Sequence, residues 1–268
     1  MYYVEDLLRQ HGERLKLKAI AGMQGLKRPI LVPEAQRPGL SLSGYLKHCA
    51  HKRMLVFGKV ELNFLKELKP SVRMSRLESL MSDETPAIVL ARGYSPLDEM
   101  VEVAERREIA LIRTPLSTMN ILSKLILLLH DEFSPSMSCH GTLVEVFGVG
   151  VLIQGDSAVG KSEAALGLIE RGHRLISDDI VKVKKRDDYY LEGSGAELTK
   201  HHLEIRGIGI INVANLYGVV CVRDYKSIDI AVHLEVWNDQ HFYDRVGSEE
   251  KTTNILGIDI PYHELPVK

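Results

Sequence analysis

The chain of 268 residues is long enough for one large domain or two ordinary ones, at roughly 100–200 residues each. With 45% hydrophobic and 26% charged residues, its composition excludes a disordered, collagenous or coiled-coil protein. The formal net charge of −2 conceals two unlike halves, because residues 1–130 carry 20 Lys/Arg against 14 Asp/Glu, a net of +6, and residues 131–268 carry 14 against 22, a net of −8. This asymmetry predicts two domains with different functions.

The compartment that the sequence predicts is the cytoplasm. The N-terminus has no basic stretch followed by an apolar run, which a secretory signal would require. The most apolar segment, 121–129, is far shorter than the roughly 20 apolar residues of a membrane helix. Because Cys49, Cys139 and Cys221 are widely spaced, neither a disulfide framework nor a cysteine zinc site is expected.

The first half alternates between strand and helix patterns, as α/β proteins do. Apolar runs at 86–90 and 109–112 predict buried strands, and the amphipathic stretch 97–107 between them predicts a helix. A strand, helix and strand in this order favour a parallel pair joined by a crossover. Residues 116–129 predict a further helix. The polar segment 131–136 then marks the domain boundary, which gives domains at 1–132 and 133–268.

The second half opens with two apolar runs, 142–147 and 149–153, separated by a single glycine. Such a short connection allows only antiparallel pairing, because a parallel crossover needs a dozen residues or more. The further elements predicted are a helix at 161–171 ended by Gly172, a short buried strand at 175–176, and a surface hairpin of 181–184 with 189–191.

The segment from Gly155 to Ser162 fits the phosphate-loop pattern G-x-x-x-x-G-K-[ST]. Glycines allow backbone N–H groups to curl around phosphate oxygens, and the following helix directs its positive N-terminal end at the same anion. Lys161 is expected to reach the β- and γ-phosphates, and the Ser162 hydroxyl to ligate Mg²⁺. A strand pattern before the loop and a helix pattern after it favour this function over a glycine-rich turn. The predicted nucleotide-binding residues are Gly155, Asp156, Ser157, Ala158, Val159, Gly160, Lys161 and Ser162.

Two aspartates, Asp178 and Asp179, follow the predicted strand at 175–176. Because the connecting helix is only about three turns long, we expect this strand beside the loop strand, with its carboxyl end facing the phosphates. One aspartate is then placed to help hold Mg²⁺, and the other to act as a base for an attacking hydroxyl. A turn or helix cap is the alternative role for these acids. The sequence contains no N-K-x-D motif, so a Ras-like GTPase is not supported.

Other polar residues allow two interpretations each. His201 and Glu204 lie three positions apart, but no third ligand is spaced to complete a zinc site. Glu204 is either a second Mg²⁺ ligand or an ordinary strand residue. Arg245 either stabilises transition-state charge or forms a surface pair with Asp244. By position alone, His140 is a domain-boundary residue, and the net charge of −8 argues against a nucleic-acid surface in this half.

With these residues in place, the chain resembles the HPr kinase/phosphorylase family, bacterial enzymes that phosphorylate a serine of the phosphocarrier protein HPr. The resemblance in the second half is carried by HGTLVEVFGVGVLI at 140–153, the loop through 163, and the segments 171–179, 203–213 and 243–247. In the first half it is carried by the segments 20–22, 37–40, 44–45, 85–89 and 92–93. The resemblance therefore spans nearly the whole chain.

The resemblance implies roles for individual residues. The positions that match the family's catalytic residues are His140, Lys161, Asp179 and Arg245. Asp179 would take the serine proton during phosphorylation and return it during phosphorolysis. Ser162 and Glu204 match the family's Mg²⁺ ligands, and Asp178 is added as a candidate ligand from its position. The signature segment comprises Leu203, Glu204, Ile205, Arg206, Gly207, Ile208, Gly209, Ile210, Ile211 and Asn212.

The same resemblance implies a fold and a reaction. The fold is a two-domain α/β architecture, with an N-terminal domain similar to a domain of the muramyl-peptide ligases and a C-terminal P-loop kinase domain whose mixed sheet is similar to that of phosphoenolpyruvate carboxykinase. The implied enzyme is Mg²⁺-dependent and bifunctional. ATP or pyrophosphate phosphorylates HPr, and inorganic phosphate removes the group again and yields pyrophosphate. A hexamer is expected, with neither nucleic acid nor membrane as a partner.

Two positions depart from the family's pattern. Ala158 stands where the family usually has Gly, so the loop either has a negative φ there or is slightly strained, and we expect kinase activity to survive. Pro266, Val267 and Lys268 resemble the start of the family's Pro-Val-Arg/Lys-Pro-Gly-Arg segment, which is linked to dephosphorylation. The family's C-terminal helices, which help to bind HPr, have no counterpart here. We therefore expect a truncated or partly ordered chain, or a compromised phosphorylase reaction.

Two alternative functions remain open at the level of the residues. A small-molecule kinase would need the same loop and acids, and only the resemblance favours a protein serine as the acceptor. A regulatory module that senses nucleotide without turnover is the second alternative. The presence of Lys161, Asp179 and Arg245 argues against it, because a sensor needs no base.

Overall fold

The chain divides into two compact units, Met1–Phe133 and Ser134–Lys268. The structure, a computed structural model, describes residues 1–47, 51–241, 243 and 250–267. Each unit combines helices with mixed sheets, which confirms the two-domain α/β architecture predicted from the sequence. Within the described part of the chain, no helix combines the length and the apolar composition that crossing a bilayer requires.

The first unit is built around a five-stranded sheet. The strands of this unit are β1 (Tyr2–Tyr3), β2 (Lys18–Ala21), β3 (Pro29–Ile30), β4 (Ala35–Gln36), β5 (Met54–Phe57), β6 (Ala87–Leu90) and β7 (Ala110–Arg113). Its helices are α1 (Val4–Leu15), α2 (Leu40–Ser43), α3 (Lys59–Glu67), α4 (Pro70–Leu80), α5 (Asp98–Arg106) and α6 (Thr118–Phe133). The sheet order is β2-β7-β6-β5-β4, and β1 pairs separately with β3.

The predicted parallel pair of the first half is confirmed. β6 and β7 pair in parallel, with Ile88 opposite Leu111 and Val89 opposite Ile112, and α5 forms the crossover between them. Alternate residues of these strands point to opposite faces of the sheet. Val89 and Ile112 pack with residues of α1 and α6, whereas Ile88 and Leu111 pack with residues of α3, α4 and α5. Both faces are therefore covered, as is usual for parallel strands.

Arg28 connects the loops that precede β6 and β7. Its guanidinium donates hydrogen bonds to the carbonyl oxygens of Asp83 (2.7 Å), Thr85 (2.9 Å), Arg107 (2.5 Å) and Glu108 (2.7 Å). One planar, charged side chain thus satisfies four backbone acceptors, a geometry that the compact ammonium of lysine does not reproduce. Arg28 therefore holds both loops at the amino ends of the central strands.

We expect Arg28→Ala to lower the opening free energy of β6 and β7 by about 3 kcal/mol, since each hydrogen bond from a charged donor contributes about 1.5–3 kcal/mol and the carbonyls at the two exposed bonds, those of Asp83 and Glu108, regain water. Arg28→Lys should recover less than half of this loss. Hydrogen exchange of the amides in these strands measures the effect. The exposed Arg14→Ala serves as the control and should leave exchange unchanged. Equal exchange in Arg28→Ala and Arg14→Ala would contradict the role assigned to Arg28.

The second unit is built around a six-stranded and a four-stranded sheet. Its strands are β8 (Ser136–His140), β9 (Thr142–Val146), β10 (Val149–Gly155), β11 (Arg174–Ser177), β12 (Ile180–Arg186), β13 (Tyr190–Gly195), β14 (His202–Ile205), β15 (Gly209–Asn212), β16 (Tyr225–Ser227), β17 (Ile230–Val236), β18 (Thr252–Ile255) and β19 (Ile258–Val267). Its helices are α7 (Lys161–Glu170) and α8 (Val213–Tyr217).

The six-stranded sheet has the order β11-β9-β10-β17-β19-β18. β9 and β10 form the antiparallel hairpin predicted from their short connection. β17 pairs in parallel with β10, and β19 pairs in parallel with β17. The carboxyl ends of these three strands therefore lie at one edge of the sheet.

One predicted neighbour relation is wrong. The strand at 175–176, now part of β11, was expected beside the loop strand β10, but β9 lies between them and pairs with both. The reason is local: the hairpin partner that immediately precedes β10 occupies the position beside it. Because β9 runs antiparallel to both neighbours, β11 and β10 still run in the same direction. The carboxyl end of β11 thus reaches the expected edge, one strand further away.

Two core layers flank the six-stranded sheet. On one face, Leu143 and Leu152 pack with Val181, Val183 and Leu191 of the four-stranded sheet, whose order is β16-β13-β12-β8. The predicted hairpin at 181–191 is thus present as β12 and β13, but one of its faces is buried rather than at the surface, because its valines alternate with lysines. The other face of the six-stranded sheet carries α7 and the β14–β15 hairpin.

Candidate active site

The predicted phosphate loop connects β10 to α7. β10 ends at Gly155, where a Cβ atom would lie 2.2 Å from the Leu234 carbonyl oxygen, so only glycine fits. Gly160 precedes α7 with a φ of 103°, which a glycine adopts without strain. Lys161 Nζ donates hydrogen bonds to the carbonyl oxygens of Gly155 (2.9 Å) and Asp156 (2.7 Å). These contacts fold the ammonium group over the loop, where phosphate oxygens would compete for it.

Ala158 has a φ of 65°, which settles the choice between a negative and a positive φ left open by the sequence. The left-handed region places Cβ close to the following carbonyl oxygen and costs an L-residue about 1–2 kcal/mol. Strain of this kind persists where the surrounding structure imposes it, and it is frequent at functional sites. A glycine at this position would remove the strain.

Ala158→Gly is expected to raise the unfolding free energy of the second unit by less than about 1 kcal/mol, because relief of strain is partly offset by the greater entropy of unfolded glycine. The matched control is Ala164→Gly inside α7, which should lower it by about 1 kcal/mol. Urea unfolding followed by fluorescence of Trp237, the single tryptophan of the chain, reports on this unit. Destabilisation of equal size in both variants would argue against a positive φ at Ala158.

The carboxylate of Asp178 lies buried behind the loop, with 7% of the residue exposed. The Thr142 hydroxyl donates to Oδ1 at 2.6 Å, and the Ser162 hydroxyl lies 2.9 Å from Oδ2 and 3.1 Å from Oδ1. The backbone N–H of Glu204 donates to Oδ2 at 3.2 Å. Asp178 thereby joins β9, the start of α7 and the β14–β15 hairpin around one negative charge.

Asp179, the next residue, is exposed to solvent rather than buried. Its side chain is 75% exposed, and its Oδ1 lies 3.6 Å from His140 Nδ1. Its φ is 64°, and the Ile180 N–H donates to the Asp178 carbonyl oxygen at 2.8 Å across it, which forms a three-residue turn. The Gly141 N–H also donates to the Asp179 carbonyl oxygen at 3.0 Å. This turn directs two consecutive carboxylates to different environments, one buried and one open to solvent.

The loop, the two aspartates and the β14–β15 hairpin enclose a cavity of about 410 Å³, here called the loop cavity. It is lined by Ser157, Ala158, Gly160, Lys161, Ser162, Glu163, Asp178, Asp179, Glu204 and Arg206. Glu204 alternates along β14 with Leu203 and Ile205, which are buried beneath the hairpin. The strand alternation thus places Glu204 at the cavity while its neighbours anchor the hairpin in the core.

The oxygen-bearing side chains that line the loop cavity are suitable ligands for a magnesium ion. Ser162, Asp178 and Glu204 all offer oxygen atoms, the ligands that this hard cation prefers. The described residues contain no group of three or more His, Cys, Asp or Glu side chains arranged as a metal cage. Mg²⁺ is bound through one or two carboxylates, substrate phosphates and waters rather than by such a cage. The two carboxylates and one hydroxyl at the cavity therefore match the type and the number of protein ligands that Mg²⁺ takes.

Cys139, beside His140, does not provide a nucleophile for the site. Its thiol is partly buried and lies 3.7 Å from the Val181 carbonyl oxygen. Burial raises the pKa of the Cys139 thiol, which keeps it protonated near neutral pH. Because the thiolate is the reactive form, the chemistry of the site depends on its oxygen and nitrogen groups.

The structure brings most of the predicted site residues together. His140 does not line the loop cavity but lies beside Asp179. Pro266 and Val267 end β19 opposite Glu235 and Val236, at the sheet edge where the loop begins. Arg245 and Lys268 fall outside the described residues. Sequence reasoning missed Thr142, although a polar residue at the start of an otherwise apolar strand was the available signal.

Known proteins are similar to this chain over both of its halves. The family models described as HPr Serine kinase N terminus and HPr Serine kinase C-terminal domain match residues 3–129 and 131–268. A protein of Exiguobacterium sp. named HPr kinase/phosphorylase is 44% identical over 256 residues, which cover 96% of this chain and 82% of the relative. One of Bacillus subtilis with the same name is 41% identical, over 96% of this chain and 83% of its own.

A solved structure, that of the HPr(Ser) kinase/phosphatase from Coxiella burnetii, is also similar. It is 32% identical, has a TM-score of 0.47, and covers 49% of this chain and 80% of that chain. The family models together match nearly every residue of the chain, and the curated relatives match both of its units. The chain therefore belongs to the HPr kinase/phosphorylase family, and it is a protein-serine kinase/phosphorylase.

Proposed function

We propose that this chain transfers the γ-phosphoryl group of ATP to a regulatory serine of HPr, and that it uses inorganic phosphate to remove the group as pyrophosphate. The observation that carries the proposal is the difference in burial between two adjacent carboxylates beside a phosphate loop. Asp178 is buried and accepts hydrogen bonds from Thr142, Ser162 and the Glu204 N–H, whereas Asp179 is open to solvent at the same cavity. A site that only held nucleotide would need no exposed second acid.

The residues of the site divide the chemistry of transfer among them. Backbone N–H groups of the loop and the Lys161 ammonium bind the phosphates. Asp179 accepts the proton of the serine hydroxyl while the serine oxygen bonds to the γ-phosphorus and the bond to the bridging oxygen breaks, which releases ADP. His140, 3.6 Å from Asp179, is placed to orient its carboxylate. Ser162, Asp178 and Glu204 would hold Mg²⁺, which neutralises phosphate charge when bound.

The reverse reaction uses the same groups. Inorganic phosphate occupies the loop, one of its oxygens bonds to the phosphorus of phosphoserine, and the bond to the serine oxygen breaks. Asp179 takes up the proton of the attacking phosphate and passes it to that oxygen, and pyrophosphate leaves. The position of Pro266 and Val267 at the loop edge of the sheet supports their assignment to this half-reaction. Arg245 is proposed to stabilise transition-state charge in both directions, and a homo-hexamer is the proposed assembly.

The release of ADP with and without HPr tests the proposal. With ATP and Mg²⁺ alone the chain should release little ADP, and added HPr should release ADP in proportion to the HPr supplied. An HPr variant with alanine in place of its regulatory serine should release no more ADP than the chain alone. Binding of ATP without ADP release in any mixture would establish a sensor and overturn the proposal. Release driven by a metabolite hydroxyl but not by HPr would establish a small-molecule kinase.

A further inference from the structure

Two isoleucines at the tip and outer side of the β14–β15 hairpin, Ile208 and Ile210, are exposed to solvent. Their exposed fractions are 71% and 72%, although Leu203 and Ile205 of the same hairpin are buried. The buried pair packs with residues of α7 and anchors the hairpin in the core. The exposed pair contributes nothing comparable to the fold of this unit, since apolar side chains stabilise a fold when they leave water.

The strand register places Ile210 beside the loop cavity. Glu204 of β14 pairs directly with Ile210 of β15, so both side chains lie on the same face of the hairpin. Side chains paired in this way have Cβ atoms about 4.5–5.5 Å apart. Glu204 lines the cavity, and Ile210 therefore stands immediately outside its wall.

The turn of the hairpin fixes Ile208 in its exposed position. Gly207 and Gly209 flank it with φ values of 83° and 103°. The Ile208 N–H donates to the Ile205 carbonyl oxygen at 3.1 Å and closes the turn. Other residues rarely adopt these φ values, so the glycines specify a turn that keeps Ile208 away from the core.

From this arrangement we infer that Ile210, supported by Ile208, is a specificity-determining contact for an acceptor protein that carries apolar side chains next to its serine. The inference rests on the proposed function. The serine hydroxyl has to enter the cavity to reach Asp179, and a protein interface of standard size buries about 800 Å² on each partner. Such an interface extends beyond the cavity mouth onto the outer face of the hairpin. A small hydroxylated metabolite would fit inside the cavity without reaching Ile210.

The test is the kinetics of HPr phosphorylation by Ile210→Gln. The apparent KM for HPr should rise about tenfold, equivalent to about 1.4 kcal/mol, while kcat and the KM for ATP stay within twofold. Ile210→Val should restore most of the lost affinity because it keeps an apolar surface. Leu127→Gln, which changes a residue of equal exposure (72%) on α6 of the first unit, is the control and should behave as wild type.

Three other outcomes would overturn the inference. An unchanged KM for HPr in Ile210→Gln, with wild-type transfer intact, overturns the inference alone. A smaller assembly mass of Ile210→Gln by light scattering would show that a second copy of the chain covers Ile210, and this also overturns it. Absence of transfer to HPr by the wild-type chain refutes the proposed function, and the inference falls with it.

Discussion

We expect Asp179→Asn to lower the rate of phosphoryl transfer to HPr by about a thousandfold, within the range of 10²–10⁴ found for general bases. Asparagine keeps the shape of the side chain but cannot accept the serine proton. It also tolerates the φ of 64° at this position, because Asn and Asp both populate the left-handed region. The fold and the affinity for ATP should therefore stay within twofold of wild type. Quenched-flow transfer rates, together with calorimetric ATP binding, measure the two effects separately.

Asp187→Asn is the matched control for this variant. Asp187 is also exposed, has a φ of 46° and lies in the connection between β12 and β13, away from the loop cavity. The substitution makes the same change of charge in the same backbone region. Its transfer rate should equal that of wild type. A wild-type rate in Asp179→Asn, or equal losses in the two variants, would remove Asp179 from the mechanism.

Asp178→Ala should lower the unfolding free energy of the second unit by about 3 kcal/mol as well as abolish transfer. The substitution leaves the Thr142 hydroxyl, fully buried, without its acceptor, and such an unsatisfied group costs about 1–3 kcal/mol. The N–H of Glu204 loses the same partner, so the hairpin wall of the cavity is no longer held. Urea unfolding followed by Trp237 fluorescence measures the stability, and ADP release measures transfer.

Ser162→Ala separates the structural role of the Asp178 carboxylate from the proposed Mg²⁺ binding at the site. It removes one hydrogen bond to Asp178 but leaves those from Thr142 and Glu204 in place. Stability should therefore change by less than about 1 kcal/mol, while transfer falls because a proposed Mg²⁺ ligand is lost. If Asp178→Ala unfolds at the same urea concentration as Ser162→Ala, the buried carboxylate does not organise the site as described.

Local patterns in the sequence predicted much of this fold. Apolar runs and their spacing located β6, β7 and the crossover α5, because strand and helix periodicity reflect burial directly. The antiparallel pairing of β9 with β10 followed from the single glycine between the predicted runs. The loop pattern likewise located the joint between β10 and α7, since each of its residue types has a defined physical use.

Contacts between segments far apart along the chain were harder to predict from the sequence. The position of β9 between β10 and β11 depends on competition for one place in the sheet, which spacing along the chain does not encode. The positive φ of Ala158 is imposed by the surrounding loop, and composition alone allowed either sign. The contact from Thr142 to Asp178 joins residues 36 positions apart and became visible only with the fold. The different burial of Asp178 and Asp179 arises from the three-residue turn centred on Asp179.

The measurement that tests the central claim most directly is mass spectrometry of HPr after incubation with ATP, Mg²⁺ and either wild-type chain or Asp179→Asn. The wild-type chain should add one phosphoryl group to HPr, and fragmentation should place it on a single serine. Asp179→Asn should leave HPr unmodified over the same period while still binding ATP. Unmodified HPr with the wild-type chain, or a phosphoryl group on a residue other than serine, would contradict the account.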